Sequence, residues 1–87
     1  MDADPVLITA KMLDIRDTMR RFHGERYAER TEPFRDAIRR WTDESGLPMA
    51  TVTMRVIELT ERHSGEMDVL LAIAASADAL EAHGTEN

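Results

Sequence analysis

Apolar residues recur at intervals of three or four positions in three successive segments, and this spacing constrains the fold more than any other feature of the sequence. The first stripe consists of Ile8, Met12, Ile15, Met19 and Phe22. A helix of 3.6 residues per turn places such residues on one face, whereas a half-buried strand alternates apolar and polar residues. The spacing therefore predicts an amphipathic helix over residues 5–23.

The signals that begin and end a helix agree with this prediction. Asp4 is a favoured N-cap, and Pro5 suits the first helical position, where its missing N–H would have no partner in any case. Gly24 supplies the left-handed residue that ends the helix. Residues 25–32 are highly charged. We expect a short helical turn or a solvated connector there, with Thr31 capping the next helix.

Two further stripes predict helices over residues 33–45 and 49–63. The second stripe consists of Phe34, Ala37, Ile38 and Trp41. The third stripe consists of Met49, Val52, Val56, Leu59 and His63. Gly46 stops the earlier helix, and we expect Leu47 to fold back on its last turn. The β-branched Val52 and Val56 also allow a strand, but steps of three and four favour a helix.

The fourth segment, residues 66–83, is apolar almost all round its first two turns. Such a helix is either central in a bundle or shared with a second copy of the chain. Its longest apolar run, residues 69–75, is far shorter than the roughly 20 residues that span a bilayer. The sequence thus predicts an all-α fold, a small bundle of about four helices over 5–23, 33–45, 49–63 and 66–83. A chain of 87 residues fits one domain, 1–87, with short disordered ends at 1–3 and 84–87.

The chain has no cysteine, which excludes a disulfide scaffold, a thiolate metal site and a cysteine nucleophile. The N-terminus is acidic and has neither the basic start nor the apolar stretch of a signal peptide. Both features favour a cytoplasmic protein.

No catalytic motif stands out. The four glycines stand singly near predicted helix ends, so there is no glycine-rich phosphate loop, and there is no Gly-x-Ser-x-Gly sequence. His23, His63 and His83 also fall at predicted helix ends, where a histidine pairs with backbone carbonyls. We expect these histidines to be structural and the chain to have no enzymatic activity, no cofactor and no metal.

Charge is unevenly distributed along the chain. Residues 11–40 carry a net charge of +3 and residues 41–87 a net charge of −7, within a total of −6. Such asymmetry favours association with a charged macromolecule. We expect a basic surface that contacts an acidic partner, formed by Arg16, Arg20, Arg35 and Arg39. The acidic half is a second candidate, for a basic groove that normally holds nucleic acid.

Residues 36–63 resemble a helix-turn-helix of the kind found in IclR-type winged-helix regulators. The matching residues are Trp41, Gly46-Leu47-Pro48, Thr51-Val52, Leu59 and Glu61-Arg62. The resemblance implies DNA contacts in the major groove from Ala50, Thr51, Met54 and Arg55. Two features depart from the family: residues 66–83 predict a helix where the family has a β-hairpin, and the acidic half opposes phosphate binding.

These observations favour a small non-catalytic regulatory, adaptor or inhibitor protein that acts by protein–protein binding, with a homodimer through the fourth helix as a further expectation. In general character the chain is similar to phage-encoded inhibitors such as anti-CRISPR proteins, a likeness of size, acidity and helicity. The alternative is a compact helix-turn-helix DNA-binding transcriptional regulator.

Overall fold

A computed structural model describes the backbone of residues 5–86 and the side chains of residues 10–83. It confirms the all-α prediction. The helices are α1 (Pro5–His23), α2 (Tyr27–Ser45), α3 (Met49–His63) and α4 (Glu66–Glu86), and a 3₁₀ turn over Gly24–Arg26 joins α1 to α2. Ile8 of the first stripe lies outside the residues whose side chains are described.

The start of α2 differs from the prediction by six residues. The helix begins at Tyr27 rather than at residue 33, and Pro33 lies inside it. Thr31 is not a cap; it is fully buried, and its hydroxyl donates a hydrogen bond to the Tyr27 carbonyl at 2.9 Å. Arg35 donates to the Ala28 carbonyl at 2.8 Å. The prediction was wrong because a proline with a preceding threonine is typical of a helix start, whereas here side-chain hydrogen bonds support a helix that continues through the proline.

Both predicted glycine stops are confirmed. Gly24 and Gly46 have φ values of 56° and 72°, in the left-handed region that favours glycine. The Gly46 N–H donates to the Thr42 carbonyl at 3.0 Å and ends α2. Pro48 then accepts hydrogen bonds from the N–H groups of Thr51 and Val52, which starts α3 within two residues of the turn.

Helix α4 is the central helix of the bundle and contacts α1, α2 and α3. Its buried residues are Leu71, Ala72, Ala74, Ala75, Ser76 and Ala77. Five of these six side chains are very small, so neighbouring helices can approach α4 closely. The central position is one of the two alternatives that the sequence left open, and a second copy of the chain is not needed to bury this stretch. Helix α4 continues to Glu86, three residues beyond the predicted end. Residues 84–86 of the expected disordered end therefore belong to α4, whereas residues 1–3 and 87 lie outside the described residues.

Two apolar clusters pack against α4. The first joins Ile38, Val52, Val56, Ala72 and Ala75, with Phe34 and Trp41 against it. The second joins Met19, Leu71 and Ala74, with Ile15 and Tyr27 against it. Most residues of the predicted stripes therefore lie in or against these clusters, whereas Phe22 and His63, the last residues of their stripes, are exposed. Phe22 is 68% exposed, because Tyr27 rather than Phe22 packs against this end of the second cluster.

Candidate functional site

Arg16 is buried, which corrects its expected place on a basic surface. It is 9% exposed, and its Nη1 donates to Glu81 Oε1 at 2.6 Å. Its Nη2 lies 3.2 Å from Asp17 Oδ1, and its Nη1 lies 3.7 Å from Asp78 Oδ1. Burial by itself lowers the pKa of the Arg16 guanidinium, but the hydrogen bonds to Asp17 and Glu81 and the charges of these carboxylates outweigh burial and raise it. A guanidinium held in this way is not available to a partner.

Asp78 organises the polar contacts around Arg16. Its Oδ1 accepts a hydrogen bond from Arg20 Nη2 at 3.0 Å, and its Oδ2 accepts one from the Tyr27 hydroxyl at 2.6 Å. The Arg20 guanidinium also lies over the Tyr27 ring, 5.4 Å from its centre. Burial and, after it, the bond to Asp78 raise the pKa of Tyr27. We name this group the Asp78 network: Arg16, Arg20, Tyr27, Asp78 and Glu81.

Arg35 and Arg39 are exposed on α2, as expected. Arg39 Nη2 pairs with Asp36 Oδ1 at 2.6 Å, and Arg35 donates to the Thr31 hydroxyl at 3.2 Å. With Arg20, they line an open groove of about 1030 Å³ between α2 and α4. Asp78 and Glu81 also line this groove, so it carries both signs of charge rather than one basic patch.

The four residues that the helix-turn-helix resemblance selects are all exposed on α3: Ala50, Thr51, Met54 and Arg55. Met54 is 65% exposed, which agrees with its position opposite the apolar stripe of its helix. Leu47, in the turn before α3, is 51% exposed, and its N–H donates to the Ser45 hydroxyl oxygen at 3.1 Å. Leu47 lines a cleft together with Glu44 and Ser45 of the last turn of α2, and about half of the residue stays in solvent.

These exposed residues border two adjoining depressions. A cleft of about 520 Å³ between the end of α2 and the start of α3 is lined by Trp41, Glu44, Ser45, Leu47, Thr51, Val52 and Arg55. A shallower one of about 370 Å³ is lined by Thr51, Met54, Arg55, Ile57, Glu58 and Glu61. Because the two share Thr51 and Arg55, they form one surface. We name it the α2–α3 face, comprising the lining residues of both depressions.

The α2–α3 face is apolar along its length and acidic at its rim. Arg55 Nη1 pairs with Glu58 Oε1 at 2.9 Å, whereas no described basic side chain pairs with Glu44 or Glu61. The last turn of α2 contains Asp43 and Glu44 and no basic residue. The carboxyl end of a helix carries partial negative charge, so acids there are unfavourable by about 0.3–1 kcal/mol each when exposed.

The three histidines do not come together as a site. His23 is half-buried at the end of α1, and its Nε2 has no hydrogen-bond partner among the described residues. His63 and His83 are exposed. No group of three His, Cys, Asp or Glu side chains in the described part of the chain is arranged to hold a metal ion. None of the helices within the described range is both long and apolar enough to cross a membrane.

Sequence reasoning missed Asp78 and the cleft at Trp41. For the cleft, a signal exists: Leu47, Thr51, Met54, Glu58 and Glu61 follow one another at steps of 4, 3, 4 and 3, a second stripe opposite the core stripe of α3. The burial of Arg16 also has a signal in the sequence. Arg16 lies four residues after Met12 and three before Met19, a spacing that puts it at the edge of the apolar face of α1.

The fold and the α2–α3 face together define a small all-α bundle with a partly apolar, acid-rimmed surface. Comparisons of the chain with protein-family models, with curated proteins and with solved structures find no match. The helix-turn-helix resemblance of residues 36–63 stays a prediction. In the structure, α4 follows α3 at the place where a winged-helix protein has its β-hairpin.

Proposed function

We propose that this chain is a small non-catalytic regulatory, adaptor or inhibitor protein that acts by binding another protein through the α2–α3 face. The observation that carries this proposal is the exposure of Leu47 and Met54, 51% and 65%, beside the cleft at Trp41. Single exposed apolar residues are ordinary, but apolar residues grouped around a depression and rimmed by charge are typical of interaction sites. Tryptophan and methionine are also enriched in protein interfaces.

The basic residues rank second as a contact surface. Arg35 and Arg39 are exposed, but Arg39 is paired with Asp36, and Arg20 is paired with Asp78. An acidic partner would have to displace these carboxylates before it gained an ion pair. The α2–α3 face has no such competition at its apolar residues, whose contact with a partner removes apolar area from water.

DNA binding is the second candidate function, and it has one observation in its favour. The residues expected to contact DNA are all exposed on α3 after a Gly-Leu-Pro turn. Phosphate binding, however, depends on Lys and Arg side chains. The surface around Thr51 and Met54 offers one arginine, Arg55, which is paired with Glu58. Electrostatics therefore favours a protein as the partner.

Affinity capture with matched variants tests the proposal. The immobilised chain is incubated with a lysate of the source cells, and each retained protein is identified, purified and bound again in isolation. We expect at least one protein to rebind, and the double variant Leu47→Ser/Met54→Gln to bind it at least about tenfold more weakly. The control Phe22→Ser/Met67→Gln removes two exposed apolar side chains elsewhere and should bind as the wild type does.

A parallel titration with mixed-sequence duplex DNA at low salt separates the two candidate functions. We expect no saturable binding. Saturable binding that falls steeply with salt and weakens in Arg55→Ala would instead support the transcriptional regulator. Retention of no host protein would mean that the chain does not act by stable protein binding.

A further inference from the structure

The charges around the α2–α3 face indicate the chemistry of its partner. Glu58 forms an ion pair with Arg55 of the same helix, whereas Glu44 and Glu61 have no basic partner among the described residues. Glu44 lies at the cleft and Glu61 at the shallower depression. Each of the two parts of the apolar surface therefore has a carboxylate with no ion pair in the described part of the chain, and a partner with positive charge beside its apolar residues is complementary to both.

The end of α2 adds a second observation at the same place, the helix dipole and Asp43. The last turns of α1 and α3 contain basic residues, which complement the partial negative charge at a helix carboxyl end. The last turn of α2 instead contains Asp43 and Glu44 and no basic residue. Helix dipole and carboxylates thus act together to give negative potential at the mouth of the cleft. Arrangements that lower stability, such as acidic residues at the carboxyl end of a helix, are expected at functional surfaces.

We propose that the α2–α3 face binds a basic, amphipathic helix of a protein partner, an inference that rests on the proposed function. One large apolar side chain of that helix enters the cleft between Trp41 and Leu47, and a second packs on Met54. Lysine or arginine side chains beside these anchors pair with Glu44 and Glu61. A helix fits because the face is elongated along α3, and an amphipathic helix presents apolar anchors in such a row.

Two other occupants fit the charges less well. In a symmetric dimer through this face, a second copy of the chain would bring the same acidic rim against Glu44 and Glu61, in a molecule whose net charge is −6. A nucleic acid would bring phosphates against the same carboxylates. Either contact would place negative charges next to Glu44 and Glu61, and this repulsion disfavours association.

An NMR titration of the ¹⁵N-labelled full chain tests the proposal with three synthetic helical peptides. The first carries a leucine–tryptophan stripe flanked by lysines. The second has glutamate in place of each lysine, and the third has serine in place of each apolar residue. We expect saturable shifts from the first peptide, confined to amides of residues 41–61 and their packed neighbours, and affinities at least about tenfold weaker for the other two.

Charge-matched variants make the test specific to the rim. Glu44→Lys/Glu61→Lys changes the proposed contacts, whereas Glu25→Lys/Glu29→Lys changes two exposed acids elsewhere and gives the same net charge. We expect the first variant to bind the lysine peptide about tenfold more weakly than the second. Met54→Gln should likewise weaken binding, and Met67→Gln should leave it unchanged.

The inference is overturned by shifts centred on another surface, by equal affinity of the two charge variants, or by equal binding of the glutamate peptide. A doubled mass in light scattering that Met54→Gln returns to a monomer would show that a second copy occupies the face. If the captured host protein instead contacts the face through an acidic or uncharged segment, the partner chemistry is wrong and protein binding stands. If the capture experiment retains no protein, the proposed function itself fails.

Discussion

The Asp78 network and the α2–α3 face use the same kinds of residue in opposite ways. In the network, Asp78 accepts hydrogen bonds from Arg20 and Tyr27, and Arg16 is held by carboxylates on two helices. At the α2–α3 face, apolar side chains stay exposed and two carboxylates lack a basic partner among the described residues. The comparison shows that charges already paired within the chain stabilise the fold. A partner can gain binding free energy where apolar side chains are exposed and carboxylates have no ion pair.

The comparison also explains why charge totals along the chain mislead. Residues 11–40 carry a net charge of +3, but acidic side chains of α4 fold back onto the arginines of α1. The basic segment is therefore partly neutralised in three dimensions. The acidic excess that is left over lies in part beside the apolar residues of the α2–α3 face.

The largest expected effect concerns the network. Asp78→Ala should lower the free energy of unfolding by about 2–4 kcal/mol, because it leaves the Tyr27 hydroxyl and Arg20 without their acceptor and removes a negative charge beside the buried Arg16. Urea denaturation followed by circular dichroism measures the change. Asp36→Ala is the control: it breaks the exposed pair with Arg39 and should change stability by less than about 0.5 kcal/mol. Equal effects of the two substitutions would erase the distinction between the network and an ordinary surface pair.

The next effect concerns the α2–α3 face. Leu47→Ser/Met54→Gln should change the free energy of unfolding by less than about 1 kcal/mol, because both residues are half or more exposed. The same variant should weaken binding of the lysine peptide by about tenfold, or about 1.4 kcal/mol. Denaturation and titration of one preparation measure both quantities. A large loss of stability would place these side chains in the fold rather than in a contact surface.

A third prediction uses the fact that Tyr27 is the only tyrosine in the chain. Absorbance at 295 nm should show it losing its proton well above the ordinary pKa of 10.0, because it is partly buried and donates to Asp78. Since the pKa is raised in the folded state, its stabilising contribution is complete below pH 10 and is lost as the pH rises above that value. Asp78→Asn should shift the titration to lower pH. An ordinary titration in the wild type would argue against the Tyr27–Asp78 bond.

The smallest expected effect concerns the Arg55–Glu58 pair. Its two side chains are about half exposed, so a double-mutant cycle to alanine should give a coupling free energy of only about 0.3–0.5 kcal/mol, and less at high salt. A coupling of 2 kcal/mol or more would show that this pair belongs to the structural network and not to an open face.

How far the sequence predicts this molecule depends on whether the signal is local. The stripes of α1 and α3 and the glycine stops at Gly24 and Gly46 are local patterns, and their helices have the predicted bounds. The start of α2 was not predictable because Thr31 and Pro33 look like a helix start, whereas Thr31 is buried and its hydroxyl bonds to the Tyr27 carbonyl of a helix that has already begun. Asp78 could not be found because its partners lie 51 or more positions away in the sequence.

The candidate site was predictable in part for the same reason. The exposure of Met54 follows from its place opposite the core stripe of α3, which is a local property. The cleft at Trp41 depends on how two helices meet, and the stripe that begins at Leu47 predicts only its α3 side, not the side formed by the end of α2. The apolar character of α4 predicts a buried helix. Its contacts with all three of the other helices depend on tertiary packing and could not be predicted from the sequence.

Site-specific photo-cross-linking tests the central claim most directly. A photoreactive amino acid replaces Met54 or, as a control, the exposed Met67, and each chain is irradiated in the source cells. We predict a cross-linked partner protein at position 54 that is absent or much weaker at position 67. The same adduct at both positions, or a partner that cross-links only at position 67, would contradict the assignment of the α2–α3 face as the binding surface.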